Sequence, residues 1–176
     1  MSAIDAPYST MVTAAGGNGV EYGIKLAGLD EWFTAPSPMI RGKYMVENAS
    51  EKDQLPWIGD SSVVEVFGLG GLSSGASPKV CSWRNQTAED GVRLTNSMYE
   101  ISVSEHENFK IPQLNYRGAP AGIDAMKVYK TKILPVINGG MINRNGGWIG
   151  AGCAKIPYEC FEKAIIAYEK KYKVKV

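Results

Sequence analysis

The chain has 176 residues, enough for one domain with a real core and no need of disulfide staples. Its formal net charge of +1 gives no field that would steer it to nucleic acid or an anionic membrane. Glycine is the outlier: 20 of 176 residues, about 11% against a usual 7%, which calls for tight turns or close backbone approach.

The three cysteines, Cys81, Cys153 and Cys160, are scattered and form no C-x-x-C pair. That spacing excludes a disulfide framework and a zinc site, and reduced cytoplasmic thiols are expected. The opening Met1-Ser2-Ala3-Ile4-Asp5 lacks the basic and apolar regions of a signal peptide, and no apolar run approaches 18 residues. A cytoplasmic protein without a membrane span is the expectation.

In chain order, residues 1–9 read as an arm or strand lead-in. Residues 11–15 read as a short strand or buried helix end that breaks at Gly16-Gly17-Asn18-Gly19. Alternation over 20–26 predicts a strand, and 32–36 and 39–46 are further strand candidates around Pro36 and Pro38. Residues 47–56 read as a surface loop. The segment 59–71 sets two carboxylates, two hydroxyls and four glycines among apolar residues. Burying an unpaired charge costs several kcal/mol (about 3–5), so acids in a buried-looking run point to a site. The alternative is an Asp60 helix cap followed by an amphipathic turn, with 62–67 either helix or strand.

The polar stretch 81–94 predicts a mobile loop, and 98–103 and 114–116 predict strands. Residues 123–130 have helical spacing, with Asp124 in the first turn, where the helix dipole favours an acid. Residues 133–137 predict a buried strand, with Pro135 marking an edge or bulge. Residues 139–152 predict a Gly/Asn loop around Trp148 and Ile149. Pro157 opens a C-terminal amphipathic helix whose apolar face is Phe161, Ala164, Ile165 and Tyr168. Together the elements predict a single α+β domain over 1–176, with a mixed sheet of short strands and Gly-rich loops.

No phosphate-loop, nucleophile-elbow or H-E-x-x-H motif is present. Gly68-Leu69-Gly70-Gly71 lacks the spacing of a dinucleotide fingerprint. His106, flanked by acids, fits a solvated loop better than a catalyst. Cys153, among small residues, is either a nucleophile or a small buried hydrophobe. Three segments carry the remaining chemistry. One is 59–71. The second runs from Arg117 through Asp124 to Lys127, where Arg117 either grips a carboxylate or phosphate or pairs with a surface acid. The third is 137–152, whose glycines either let a ligand approach exposed N–H groups or form a flexible hairpin.

Read in order, these segments resemble a family. They are Asn18-Gly19-x-Glu21-x-Gly23-Ile24, then Trp32-Phe33-Thr34-Ala35-Pro36. Gly59-Asp60-Ser61 follows with Glu65 and Gly68-x-Gly70-Gly71, then Met98-Tyr99-Glu100-Ile101. Last come Arg117-Gly118-x-Pro120-x-Gly122-Ile123-Asp124 with Lys127-Val128, Pro135-x-Ile137-Asn138 and Ile149-Gly150-Ala151-Gly152. The order resembles the C-terminal half of a bacterial family that includes a subunit of the oxamate carbamoyltransferase of allantoin fermentation. The chain departs from the family pattern at Ala119, where a Thr is typical, and at Met141-Ile142-Asn143, where an Ala-His pair is common.

The resemblance implies an α/β complex fold and carbamoyl transfer from oxalurate to phosphate, giving oxamate and carbamoyl phosphate, in a multi-subunit enzyme. It implies a small anionic substrate, and either a second polypeptide supplying the other half of the family's length or a homo-oligomer. The catalytic candidates are Asp60, Glu65, Arg117 and Asp124. The substrate-binding candidates are Asn18, Ser61, Gly70, Gly71, Lys127, Asn138 and Gly139. No cofactor motif is present and no His/Cys cluster suggests zinc; a carboxylate-bound Mg²⁺ at Asp60 or Glu65 stays open.

Overall fold

The computed structural model describes residues 4–176. Four strands, β1 (Val12–Asn18), β2 (Glu21–Leu26), β3 (Phe33–Pro36) and β5 (Ile58–Gly59), form a sheet in the order β3-β2-β1-β5. A second sheet has the order β4-β9-β8, from Arg41–Tyr44, Trp148–Lys155 and Val136–Ile142. β6 (Ser104–Ile111) and β7 (Arg117–Ala121) make a two-stranded ribbon. Every strand pairing among the described residues is antiparallel, where the sequence predicts a mixed sheet. The helices are α1 (Val63–Phe67), α2 (Pro78–Trp83), α3 (Ala88–Tyr99), α4 (Ala125–Thr131) and α5 (Tyr158–Tyr172). Antiparallel sheets with helices set apart from them make the fold α+β, as the sequence predicts.

The predicted strands at 20–26, 32–36 and 39–46 form as β2, β3 and β4, and the C-terminal helix forms as α5. Its predicted face, Phe161, Ala164, Ile165 and Tyr168, is buried against β2, β3 and α4. Pro157, with no N–H to lose, stands at the N-cap of α5. The core continues through Tyr22, Ile24, Leu26 and Trp57, with Trp57 edge-on to Tyr22 at 6.0 Å. Fully burying each of these side chains contributes roughly 1.5–3 kcal/mol.

Several expectations fail for identifiable reasons. β1 runs through Gly16 and Gly17, and the chain turns only at Asn18-Gly19. A Cβ on Gly17 would sit 2.9 Å from the Trp57 carbonyl, so these glycines serve close strand packing. Residues 81–94 are not a mobile loop. Ser77 caps α2 with Pro78 in its first turn, and Thr87 and Asp90 form a capping box on α3. Residues 98–103 are not a strand: Met98 and Tyr99 end α3, and Met98 and Ile101 are both buried. Residues 114–116 are the end of a 3-10 turn (Pro112–Leu114) and the left-handed Asn115 and Tyr116 that follow it. Residues 139–152 form the β8–β9 hairpin, not a loop; only the short 143–147 connection turns. Glycine is needed there because a Cβ on Gly152 would strike the Arg41 carbonyl of β4. Within the expected surface loop at 47–56, Gln54 is fully buried, donating to the Ile40 carbonyl at 3.0 Å and accepting from Tyr44 Oη at 2.9 Å.

Candidate functional site

Residues 59–71 leave β5, form the single-turn helix α1 and continue into a 3-10 segment at Gly70–Ala76. The cap of α1 is Ser62, not Asp60, though the Asp60 carbonyl accepts the Val63 N–H at 3.0 Å. Asp60 and Ser61 are exposed, while Glu65 is 1% exposed. The two acids therefore occupy different environments.

Glu65 is enclosed by backbone. Its Oε1 accepts the Gly71 N–H at 2.7 Å and the Asn138 N–H at 2.9 Å. Gly70, at φ +60°, wraps the carboxyl so closely that a Cβ there would fall on Oε1. The second oxygen, Oε2, is buried with no hydrogen-bond partner among the described residues. Burial raises the Glu65 pKa; the two N–H donors and the Arg84 guanidinium oppose that shift. Inward-pointing N–H groups repel a cation, so Glu65 does not suit the Mg²⁺ that the sequence left open. Among the described residues no group of three or more His, Cys, Asp or Glu side chains comes together as metal ligands.

The Asn138 backbone meets Glu65, and its side chain meets Arg84. Asn138 Oδ1 accepts from Arg84 Nη1 at 3.2 Å. Arg84 is 6% exposed and follows α2 directly; its Nη2 donates to Cys81 Sγ at 3.3 Å. Its Nε has no partner, and none of the three ion pairs among the described residues includes it. A buried guanidinium with no carboxylate hydrogen-bonded to it is costly unless something anionic meets it.

Arg84 opens onto a cleft of about 390 Å³. Ser61, Asn138, Gly139, Trp83 and Trp148 line it too, and Arg84 is the only charged residue among its described lining. Gly140 forms part of the wall; a Cβ there would lie 2.9 Å from the Trp148 ring, so its absence lets the indole lie against the strand. The two tryptophans stay partly exposed, 38% for Trp83 and 50% for Trp148. The arrangement combines one cation, hydroxyl and carboxamide donors and flat apolar walls, which suits a small planar anion.

Three predicted residues therefore converge on the cleft, Ser61, Asn138 and Gly139, with Glu65, Gly70 and Gly71 directly behind it. The others do not line it. Arg117 lies on the ribbon, its Nε and Nη2 both donating to Glu105 Oε1, at 2.9 and 2.7 Å, with the guanidinium 3.5 Å from the Tyr99 ring centre. The surface-acid alternative describes it. Asp124 is the N-cap of α4, accepting from the Met126 and Lys127 N–H groups and from Thr10 Oγ1. Lys127 Nζ donates to the Ser102 carbonyl at 2.7 Å. Asn18 Oδ1 closes its own turn, accepting from the N–H groups of Val20 and Glu21. Arg84, Trp83 and Trp148 went unassigned. The cap patterns at Ser77 and Thr87 mark α2 and α3 and put Arg84 in the turn between them, but nothing local distinguishes it from its exposed neighbour Asn85.

His106 lies on β6 with its Nε2 3.0 Å from the Phe67 carbonyl. Cys153 is half-buried in β9, where burial raises its thiol pKa against the opposing effect of the neighbouring Arg84. No helix among the described residues is long and apolar enough to cross a membrane.

The chain is similar to several known proteins. Residues 1–61 match the model of the family described as oxamate carbamoyltransferase subunit AllG. In Escherichia coli K12, the uncharacterized protein YahG is 37% identical over 170 residues, 95% of this chain and 36% of that protein. The oxamate carbamoyltransferase subunit AllG of the same organism is 35% identical over 162 residues, 90% of this chain and 38% of that protein. The crystal structure of a conserved protein of unknown function from Enterococcus faecalis V583 superposes with a TM-score of 0.90 at 34% identity. That match covers 94% of this chain and 40% of the other. The chain thus spans somewhat over a third of the length of the curated relatives it matches. Sequence and fold are thus similar to these proteins over nearly the whole of this chain, which corresponds to only part of each of them.

Proposed function

We propose that this chain works as part of an oxamate carbamoyltransferase-like enzyme, and that the Arg84 cleft holds a small anionic ureido or amide compound. The observation that carries the reading is Arg84: a guanidinium 6% exposed, without a carboxylate partner, at the wall of a cleft lined by hydrogen-bond donors. In the reaction implied by the family, a phosphate oxygen attacks the carbamoyl carbon of oxalurate. The C–N bond breaks, its electron pair goes to nitrogen, and that nitrogen takes up a proton as oxamate leaves. Arg84 is assigned to the substrate carboxylate, and the Asn138 carboxamide and Ser61 hydroxyl to its amide or ureido end. Asp60, exposed beside Ser61, is the acid within reach of solvent for proton exchange. Arg117, Asp124, Lys127 and Asn18 are assigned to the scaffold.

Titration with oxamate, oxalurate, carbamoyl phosphate and inorganic phosphate, followed by thermal shift, tests the binding half of this reading. A compound at 100 times its Kd stabilises by about 2.7 kcal/mol. The catalytic half is tested by phosphate-dependent oxalurate breakdown with the partner polypeptides added. Binding without turnover in every combination would reduce the chain to a binding module.

A second observation, at the C-terminal end of α1, supports an additional assembly role. Phe67, His106 and Phe109 form one cluster of rings, with centroids 4.5 to 6.1 Å apart, and Phe67 and Phe109 are about half exposed. Exposed apolar groups of this kind mark protein interfaces. Light scattering of the wild type and of Phe67→Ser/Phe109→Ser, alone and with partner polypeptides, tests it. An unchanged assembly in the variant would discard the patch.

A further inference from the structure

We infer that Glu65 is the positioning residue of the Arg84 cleft, holding the Asn138 strand so that the carboxamide and guanidinium face the anion in register. The inference rests on the cleft reading above and goes beyond it, since Glu65 touches neither the cleft nor its occupant. The link is continuous. Glu65 Oε1 accepts the Asn138 N–H at 2.9 Å, and the side chain of the same Asn138 accepts Arg84 Nη1 at 3.2 Å. One carboxyl oxygen thus fixes the backbone of the residue that orients the guanidinium.

Two features separate this from a generic buried acid. The same oxygen takes the Gly71 N–H at 2.7 Å, which ties the glycine segment to β8 through a single acceptor. Gly71 also packs so tightly on the Val136 carbonyl that a Cβ would overlap it, so the loop and strand have no slack. The second observation is the pair of orphaned polar atoms, Glu65 Oε2 and Arg84 Nε, in side chains both more than nine-tenths buried. Neither atom meets the other's side chain in a hydrogen bond, although the guanidinium is near enough to act on the acid. A structural ion pair would have closed that gap. Instead the acid spends its hydrogen bonds on backbone and leaves the cation uncommitted.

Glutamine is a near-isosteric mimic of Glu65: its carbonyl can accept both N–H groups that Oε1 accepts. The test compares wild type, Glu65→Gln, Glu65→Asp and Glu65→Ala by ¹⁵N NMR, observing Arg84 Nε–H and the Asn138 carboxamide without ligand. Tryptophan emission then follows oxamate binding in each. Glu65→Gln should keep both signals in place and stay within about twofold of wild-type affinity. Glu65→Asp, one methylene short, should move both signals and weaken oxamate about tenfold; Glu65→Ala should do the same or fail to fold. Unmoved signals and wild-type affinity in Glu65→Asp would overturn the inference, as would Glu65→Gln behaving like Glu65→Asp. If wild type binds no oxamate, the cleft reading fails, and the two NMR signals still decide whether Glu65 sets Arg84.

Discussion

Two arginines that look alike in the sequence meet opposite fates. Arg117 sits on the exposed β6–β7 ribbon, bonded through two nitrogens to Glu105 and laid over Tyr99. Arg84 is buried at the end of α2, bonded to a neutral carboxamide and a thiol, with one nitrogen unmet. Arg117 is paired directly with a carboxylate, whereas Arg84 is buried without a direct ion pair, Glu65 acting on it but spending its hydrogen bonds on backbone. A cation is available for a ligand when its own chain declines to neutralise it, and that distinction depends on what the fold brings beside it.

The acids follow the same division. Glu65, behind Arg84, has its pKa raised by burial; Glu105, beside Arg117, has its pKa lowered by that guanidinium. The contrast can be broken by removing each acid. Glu65→Ala leaves two buried N–H groups without an acceptor, and each such group costs about 1–3 kcal/mol. A loss of roughly 3 kcal/mol or more is therefore expected in urea unfolding, with Glu65→Gln close to wild type. A loss under about 1 kcal/mol would show that relaxation or water replaces the acceptor.

Acid and alkali sharpen the contrast through their signs. A raised pKa in the folded state means that Glu65 favours folding while protonated. Its contribution is complete below the ordinary value of 4.5 and is lost as pH rises through the raised value. Glu105 is the reverse: its contribution is present above its ordinary value and fades as pH falls through the lowered one. Unfolding curves collected over pH for Glu65→Gln and Glu105→Gln should flatten opposite limbs of the profile. The Glu105 limb is the smaller, because the pair is solvent-screened.

The smallest effect belongs to the surface pair itself. Arg117 and Glu105 are 46% and 41% exposed in their side chains. A double-mutant cycle with Arg117→Met and Glu105→Gln should give a coupling of about 0.2–1 kcal/mol, decreasing with added salt. A coupling well above that would mean the ribbon is covered in solution.

The sequence made α5 legible because its apolar residues repeat at helical spacing over four turns, and β2 to β4 because short apolar runs end at prolines and glycines. It hid α2 and α3, since polar composition outweighed the Ser77-Pro78 and Thr87-x-x-Asp90 start signals. It hid β6 because that strand buries only Ile111 and so shows no alternation. Glycines 139–152 suggested a loop, yet Gly150 and Gly152, with Gly42 on the neighbouring β4, serve strands that approach too closely for a Cβ. Of the candidate site, Ser61, Asn138 and Gly139 were legible and so was the peculiarity of Glu65. Arg84 was not, because its surroundings include Asn138 of β8, 54 residues away in the chain.

The central claim, that Arg84 and not Arg117 is the cation that meets substrate, is tested most directly by one titration. Oxamate is added to wild type, Arg84→Met and Arg117→Met, with the emission of Trp83 and Trp148 as the signal. A charge-assisted hydrogen bond contributes about 1.5–3 kcal/mol, equivalent to roughly 10- to 150-fold in affinity. A loss in that range is predicted for Arg84→Met, and a change of no more than about twofold for Arg117→Met. Wild-type affinity in Arg84→Met, or a comparable loss in Arg117→Met, would contradict the account.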